Sequence, residues 1–310
     1  MFEAEEDGRE GLLPEGVVDI HAAKSDDSAA SRAGAGGEYM RGFVAYLWRA
    51  DIAGHHVPNG ERRKVPQATV TADMRHCLVD WLVDISQEFK LQQSTVFAAV
   101  NLLDRALDVI PVRRERLQLL GCACVLIATK LEEVYAPSVD DMVDISANTY
   151  EHREFVEYEM VVAQALDFRL AGPTMFHFLL HFLKAGEANA KQEALAWFLA
   201  ELALMDYALV GTRPSLLAAA VMHLARQTSL PASAPACGGP DAVWTPSLRY
   251  YTRYAPSDLE ATARLLWAAH ARAWGTQYVA VPNKYKRPEK FHTSEYVMVL
   301  PEESLRFSDS

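Results

Sequence analysis

The sequence has only four cysteines in 310 residues. That is too few for a disulfide framework, so a reducing compartment is the expected setting. No apolar run approaches the roughly 18 residues that a membrane-spanning helix needs, and no membrane partner is expected. The opening Met1-Phe-Glu-Ala-Glu-Glu-Asp7 is acidic, unlike the basic start of a secretory or transit peptide. Positive charge is also in short supply: 30 Lys and Arg stand against 41 Asp and Glu. Residues 1–40 hold ten acids and three bases, leaving 31 acids and 27 bases over 41–310. A mildly acidic body lacks the concentrated positive surface that nucleic acid requires.

What the chain has in quantity is leucine and alanine, which favour helices over strands. Half of its residues are hydrophobic, and its length is enough for two cores. Residues 1–36 mix acids, Ser, Ala and Gly without apolar periodicity, and read as a disordered acidic tail. A helix is expected over 38–50, with Tyr39, Phe43, Tyr46 and Leu47 on one face, followed by a turn-rich basic link. From Met74, residues Cys77, Leu78, Trp81, Leu82, Ile85 and Phe89 keep helical spacing. Ser94 is placed to cap the next helix, and Pro111 closes the loop after it.

A third helix, 114–133, carries Gly121, Cys122, Ala123, Cys124 and Ala128, small residues that suit the centre of a bundle. Cys122 and Cys124 are too close for one helix face and read as buried small residues. Shorter helices are expected over 139–146 and 151–166, and Gly172-Pro173 breaks the chain. The pattern then returns over 176–184, 192–208, 214–227 and 256–274, with an irregular segment at 229–244. The fold class is all-α: two tandem helical bundles over 73–171 and 172–280. An extra N-terminal helix and linker occupy 37–72, and a Pro- and charge-rich tail occupies 281–310.

Lys130 closes an otherwise apolar helix. Spacing alone reads it either as a snorkelling lysine at a helix C-terminus or as half of a buried pair with Glu159. Such a pair contributes little net stability, and makes more sense if its spare donors and acceptors serve a partner's backbone.

Five residues in fixed order, Arg75, Ala99, Asp104, Lys130 and Glu159, make the chain resemble the cyclins, and mitotic A- and B-type cyclins most. The local strings agree: Met74-Arg-x-x-Leu-Val-Asp-Trp-Leu-Val-Asp84, Phe89-Lys-Leu-Gln92, Leu117-Gln-Leu-Leu120, Lys130-x-Glu-Glu133 and Leu166-x-Phe-x-Leu170. The similarity runs from about Tyr39 to Trp274, and more weakly into the tail. It implies two tandem five-helix cyclin boxes and a non-enzymatic regulatory subunit that forms a heterodimer with a cyclin-dependent kinase, in nucleus and cytoplasm. It needs no cofactor or metal. Arg75 and Asp104 would tie two helices together. Ile127, Lys130, Leu131, Glu133, Glu159, Phe168 and Leu170, with Phe43 and Tyr46, would face the kinase. Most relatives have Phe where this chain has Leu131, which would retune that surface.

The resemblance also implies a docking patch for substrates or inhibitors with Arg-x-Leu motifs. Met74, Cys77, Leu78 and Trp81 would form its floor, and Asp84 would attract the arginine, with Arg114 and Gln118 alongside. Cys77 replaces a larger aliphatic residue and would deepen the pocket. The alternative is that these apolar side chains are core.

Weaker strings carry less. Arg9-Glu-Gly-Leu12 fits a minimal destruction box without its downstream Asn. His177-x-x-x-His181 has metal-ligand spacing but no evident third ligand. Lys284-Tyr-Lys-Arg287 is a short basic cluster. Asp140-Asp-Met-Val-Asp144 fits the magnesium motif of an isoprenoid synthase, the rival from another class. No second acidic cluster faces it, so a capped helix with solvent-facing acids is the expectation. A DNA-binding factor of similar architecture fits the helices but not the charge.

Overall fold

The computed structural model describes residues 35–54, 70–229, 243–273 and 277–287, together with Thr293, Leu305 and Phe307. No strand occurs among the described residues. The 1–34 tail with its Arg9–Leu12 string and the link at 55–69 lie outside them. The chain divides into two units, Met1–Tyr46 and Leu47–Ser310, and helix α1 (Ala35–Ala53) crosses the division.

The first bundle comprises α2 (Ala72–Glu88), α3 (Gln93–Val109), α4 (Leu117–Glu132), α5 (Val139–Ile145) and α6 (His152–Ala165). Helix α4 packs on α2, α3 and α6, and its residues Leu119 to Thr129 are all buried. Propensity differences among ordinary residues reach only about 0.7 kcal/mol, whereas burying one Leu or Val contributes about 1.5–3 kcal/mol. Packing therefore sets this helix. Gly121 illustrates the point. A helical Gly costs about 1 kcal/mol against Ala, yet a Cβ there would fall 2.8 Å from Cδ1 of Leu78 on α2. The glycine is the gap into which Leu78 fits.

Helix starts are capped where short polar residues precede them. Thr71 accepts from the Met74 amide, and Ser138 and Asp141 form a reciprocal capping box on α5. The second bundle uses the same device at Asn189 and Gln192. Ser94 does not act as a cap: α3 starts one residue earlier, at Gln93, and Ser94 is buried inside it. Residues 114–116 form a 3-10 turn before α4 rather than its first turn.

The second bundle comprises α7 (Met175–Ala185), α8 (Ala190–Met205), α9 (Pro214–Ser229), α10 (Pro246–Thr252) and α11 (Pro256–Ala273). Small-residue helix α9 is its centre, packed on α7, α8 and α11. The end of α1 joins this bundle. Trp48 meets Phe178 edge-on, centroids 5.4 Å apart, and the Arg253 guanidinium lies 4.7 Å from the Trp48 ring. Buried Asp51 accepts from the Ser215 amide (3.2 Å) and hydroxyl (2.5 Å), satisfying an orphan N–H at the start of α9. Desolvation still pushes the Asp51 carboxyl above its ordinary range.

Helix α10 lies in a stretch for which periodicity gives no helix. A further helix, α12 (Ala280–Tyr285), opens the stretch expected over 281–310 as a Pro- and charge-rich tail. The boundary expected at 280/281 falls inside it. Val281 and Tyr285 are fully buried, and α12 packs on both α2 and α8. The Ala280 amide donates to Asp80 Oδ1 at 3.0 Å. Fully buried Glu201 on α8 accepts through Oε1 from Gln93 Nε2 (2.6 Å), Lys284 Nζ (2.7 Å) and the Tyr285 hydroxyl (2.9 Å). This junction joins α3, α8 and α12. It absorbs Lys284 of the basic cluster, while Arg287 donates to Gln87 at 3.0 Å.

His223 on α9 sits between the Trp244 ring and a stacked Phe307 ring, centroids 5.0 Å away. Burial, with a smaller push from Arg226, drives its imidazole down to about 4. An unfolded chain protonates it near about 6.5, so the unfolded state binds the extra proton between those values. The associated stability is present above about 6.5 and lost as pH falls toward 4. Denaturant titrations from pH 7 to 4.5 should show His223→Gln losing stability less steeply than the parent chain. Parallel curves would refute the assignment.

Candidate functional site

The C-terminal end of α4 brings Lys130 opposite Glu159, which projects from the middle of α6. Lys130 Nζ donates to both carboxylate oxygens, at 2.6 and 2.8 Å. The cation sits in the last turn of α4, where the helix dipole favours it. The pairing agrees with the expectation, but the burial does not. The Lys130 side chain is 53% exposed and that of Glu159 15%. An ion pair this open contributes at most about 1 kcal/mol, and it keeps hydrogen-bonding capacity on the solvent side.

Apolar side chains crowd the segments that bear the pair. Leu131 is 49% exposed, Tyr135 92% and Phe168 63%, with Val134, Val156 and Met160 also open. Single exposed apolar residues are ordinary, but several together around a charge pair mark an interaction surface. Ile127 is buried and Leu170 half-buried beside them. Phe43 and Tyr46 belong to the first unit, and Tyr46 is exposed.

Phe168 owes its position to backbone geometry. Helix α6 ends at Leu166, and Asp167 and Phe168 both take left-handed conformations, φ 50° and 55°. Their amides return to Gln164 and Ala163 carbonyls, closing the helix end. Arg105, buried on α3, donates to the Arg169 carbonyl at 2.6 Å and holds this turn against the bundle.

Glu133 has an internal task that sequence reasoning missed. Its Oε1 accepts from the Gln92 amide at 2.7 Å and the Thr95 hydroxyl at 2.5 Å. It therefore caps α3 from a distance, in place of the local cap expected from Ser94. The sequence signal is weak: Gln92 is a poor cap, which leaves orphan amides seeking an acceptor elsewhere.

Arg75 and Asp104 meet as expected. Nε and Nη2 of Arg75 donate to the two carboxylate oxygens at 2.5 and 2.7 Å, and Nη1 donates to the Met205 carbonyl at 3.2 Å. Ala99 is buried on the same helix α3.

The patch residues on α2 divide. Leu78 is buried against Gly121, Met74 and Trp81 are half-buried, and Cys77 and Asp84 are exposed. Arg114 is exposed on its 3-10 turn and Gln118 half-buried. A groove of about 500 Å³ opens here, lined by Trp81, Asp84, Ile85, Glu88, Phe89, Asp141, Asp144 and Ile145. Of the seven patch residues it takes in only Trp81 and Asp84. It runs toward α5 instead of toward Arg114.

The magnesium motif is otherwise employed. The Ser138 hydroxyl and amide donate to Asp141 and hold its carboxyl below the usual range. Asp140 lies 3.8 Å from His152 Nε2. Among the described residues no three His, Cys, Asp or Glu side chains are grouped to hold a metal. His177 accepts the Thr174 amide as part of the α7 cap, and His181 meets Tyr251 edge-on. Burial lowers both imidazoles. Cys122 is pushed up to about 12 by burial, as befits an inert core thiol.

If Glu133 is a cap, Glu133→Ala should lower stability in urea by about 0.5–2 kcal/mol, and Glu133→Gln, which keeps an acceptor, by less. No change in either variant would refute that role.

Comparison with known proteins bears on the same region. The family models "Cyclin, N-terminal domain" and "Cyclin, C-terminal domain" match residues 44–171 and 173–298. The chain is similar to cyclin-A2-2 of Arabidopsis thaliana, 36% identical over 301 residues, or 93% of this chain and 64% of that protein. It is 39% identical over 250 residues to the G2/mitotic-specific cyclin-B2 of Gallus gallus, covering 80% of this chain and 59% of that one. It thus spans under two thirds of the length of either relative. A solved viral cyclin from herpesvirus saimiri has the same fold, with a TM-score of 0.59 at 20% identity, over 72% of this chain and 95% of that one.

Proposed function

This chain belongs to the cyclin family, and we propose that it is the regulatory subunit of a cyclin-dependent protein kinase. The observation that carries the reading is the half-open Lys130–Glu159 pair set among exposed apolar side chains. Lys130 has one N–H left after donating twice, and each Glu159 oxygen has a further lone pair. Those groups are suited to the backbone of a docked helix, while Leu131, Tyr135 and Phe168 bury the apolar area that supplies affinity. Pressed against the mobile helix of the kinase, the surface would hold that helix where its Glu pairs with the catalytic Lys, and would order the activation loop. The chemistry belongs to the kinase. This chain supplies binding and position.

Leu131 makes this surface shallower than one with Phe at that place. Binding then leans more on the charge pair and on Phe168. The test is co-purification with a cyclin-dependent kinase and assay of histone phosphorylation. Lys130→Ala and Glu159→Ala should each weaken kinase binding at least about 30-fold, since each leaves a buried charge unpaired in the complex. Unchanged binding and activity in both would sink the reading.

A second surface, on α2, supports docking of substrates or inhibitors with Arg-x-Leu motifs. The half-buried Trp81 offers an apolar seat and the exposed Asp84 a countercharge. Trp81→Ala should slow phosphorylation of Arg-x-Leu substrates while a short peptide lacking that motif is phosphorylated as before. Equal loss on both would exclude docking.

A further inference from the structure

On the second bundle, His223 of α9, Trp244 ahead of α10 and Arg264 of α11 surround a slot that a distant piece of the same chain fills. The occupants are Leu305 and Phe307. Leu305 is 6% exposed, and the half-buried Phe307 stacks on the His223 imidazole, with centroids 5.0 Å apart and planes 18° apart. The Arg264 guanidinium carbon lies 5.8 Å from the Phe307 centroid. An aromatic ring set between an imidazole face and a guanidinium is held by stacking and cation–π attraction, which select for an aromatic ring. Leu305 and Phe307 lie outside any helix, and their spacing of two is that of side chains on one side of an extended segment.

The walls are held by bonds of their own. Arg226, one turn after His223, donates to the Val243 carbonyl at 2.8 Å and to the Gly186 carbonyl at 2.6 Å. Trp244 Nε1 donates to the Tyr254 carbonyl at 2.9 Å, and Arg264 pairs with Glu260 one turn back. None of these bonds involves residues 305–307, so the slot keeps its shape when they leave. Buried His223 Nδ1 has no hydrogen-bond partner. The imidazole therefore meets the segment through its face.

We infer that the second bundle carries a receptor slot for an extended Leu-x-Phe segment, and that residues 305–307 occupy it as a displaceable strap. The slot takes the two apolar side chains, and Arg264 and His223 read the aromatic one. A preformed site of this kind binds a short segment through a few anchors, as extended peptides are bound elsewhere. In the intact chain the tether keeps the segment at an effective concentration on the order of millimolar, so a free Leu-x-Phe peptide competes poorly. This surface lies on α9 and α11, away from the Lys130–Glu159 pair on α4 and α6, and its occupancy does not depend on kinase binding.

Fluorescence anisotropy with a labelled peptide of residues 303–309 tests this. The peptide is titrated with the intact chain and with a full-length chain carrying Leu305→Ala and Phe307→Ala. The double variant should bind it at least about tenfold more tightly, because its slot has lost the tethered competitor. The same peptide with both residues changed to Ala should bind neither chain. In NMR spectra the His223 ring protons should lose the upfield shift that the stacked Phe307 ring imposes, and regain it when the peptide is added to the double variant. Equal affinity for the two chains, or a folded double variant that takes up no peptide, overturns the strap. So does a double variant without the helical circular dichroism of the parent, since the segment is then core.

Discussion

A buried guanidinium must find partners for its donors or be expelled, and Arg75 meets that demand in a way that organises the whole molecule. Two of its nitrogens grip Asp104 and a third reaches the Met205 carbonyl at the end of α8. One side chain near the start of α2 thereby fixes α3 and the second bundle against it. The rotation of α2 follows. With Arg75 turned inward, Val79, Leu82 and Val83 enter the core, and Asp84 and Glu88 are left on the face that lines the groove.

Helix α4 carries the same logic outward. Its small residues admit Leu78 at Gly121, and its regular length delivers Lys130 to the surface opposite Glu159. The glutamates around that end divide the work. Glu133, three residues on, turns back to close the start of α3. Glu159 remains with the lysine at the solvent boundary. Hydrogen bonds brace the segments on either side of the pair: the turn after α6 is held by Arg105, and the start of α5 by Ser138 with Asp141.

Much of this was legible in the sequence where a pattern is local. The apolar stripe of α2, the small-residue centres α4 and α9, and the Arg75–Asp104 and Lys130–Glu159 pairs needed only helical periodicity and family order. What escaped was non-local or short. The Glu133 cap spans 41 residues along the chain, and no window around Ser94 reveals it. Helix α12 is six residues long with Pro282 inside it, so propensity argues against it. It exists because Tyr285 and Lys284 find Glu201. The openness of the Lys130–Glu159 pair was misjudged for a related reason: burial at a helix end depends on what the next helix covers.

The position of α12 has a bearing on biogenesis. Glu201 sits at the junction of α3, α8 and α12, and two of its three donors, Lys284 and Tyr285, lie 83 and 84 residues further along the chain. During synthesis at roughly 5–20 residues per second, α2 to α11 emerge before those donors leave the ribosome. Until they do, a carboxylate waits in what will become the fully enclosed interior. The nascent protein should therefore stay open along this seam until α12 is made, and α12 then closes it.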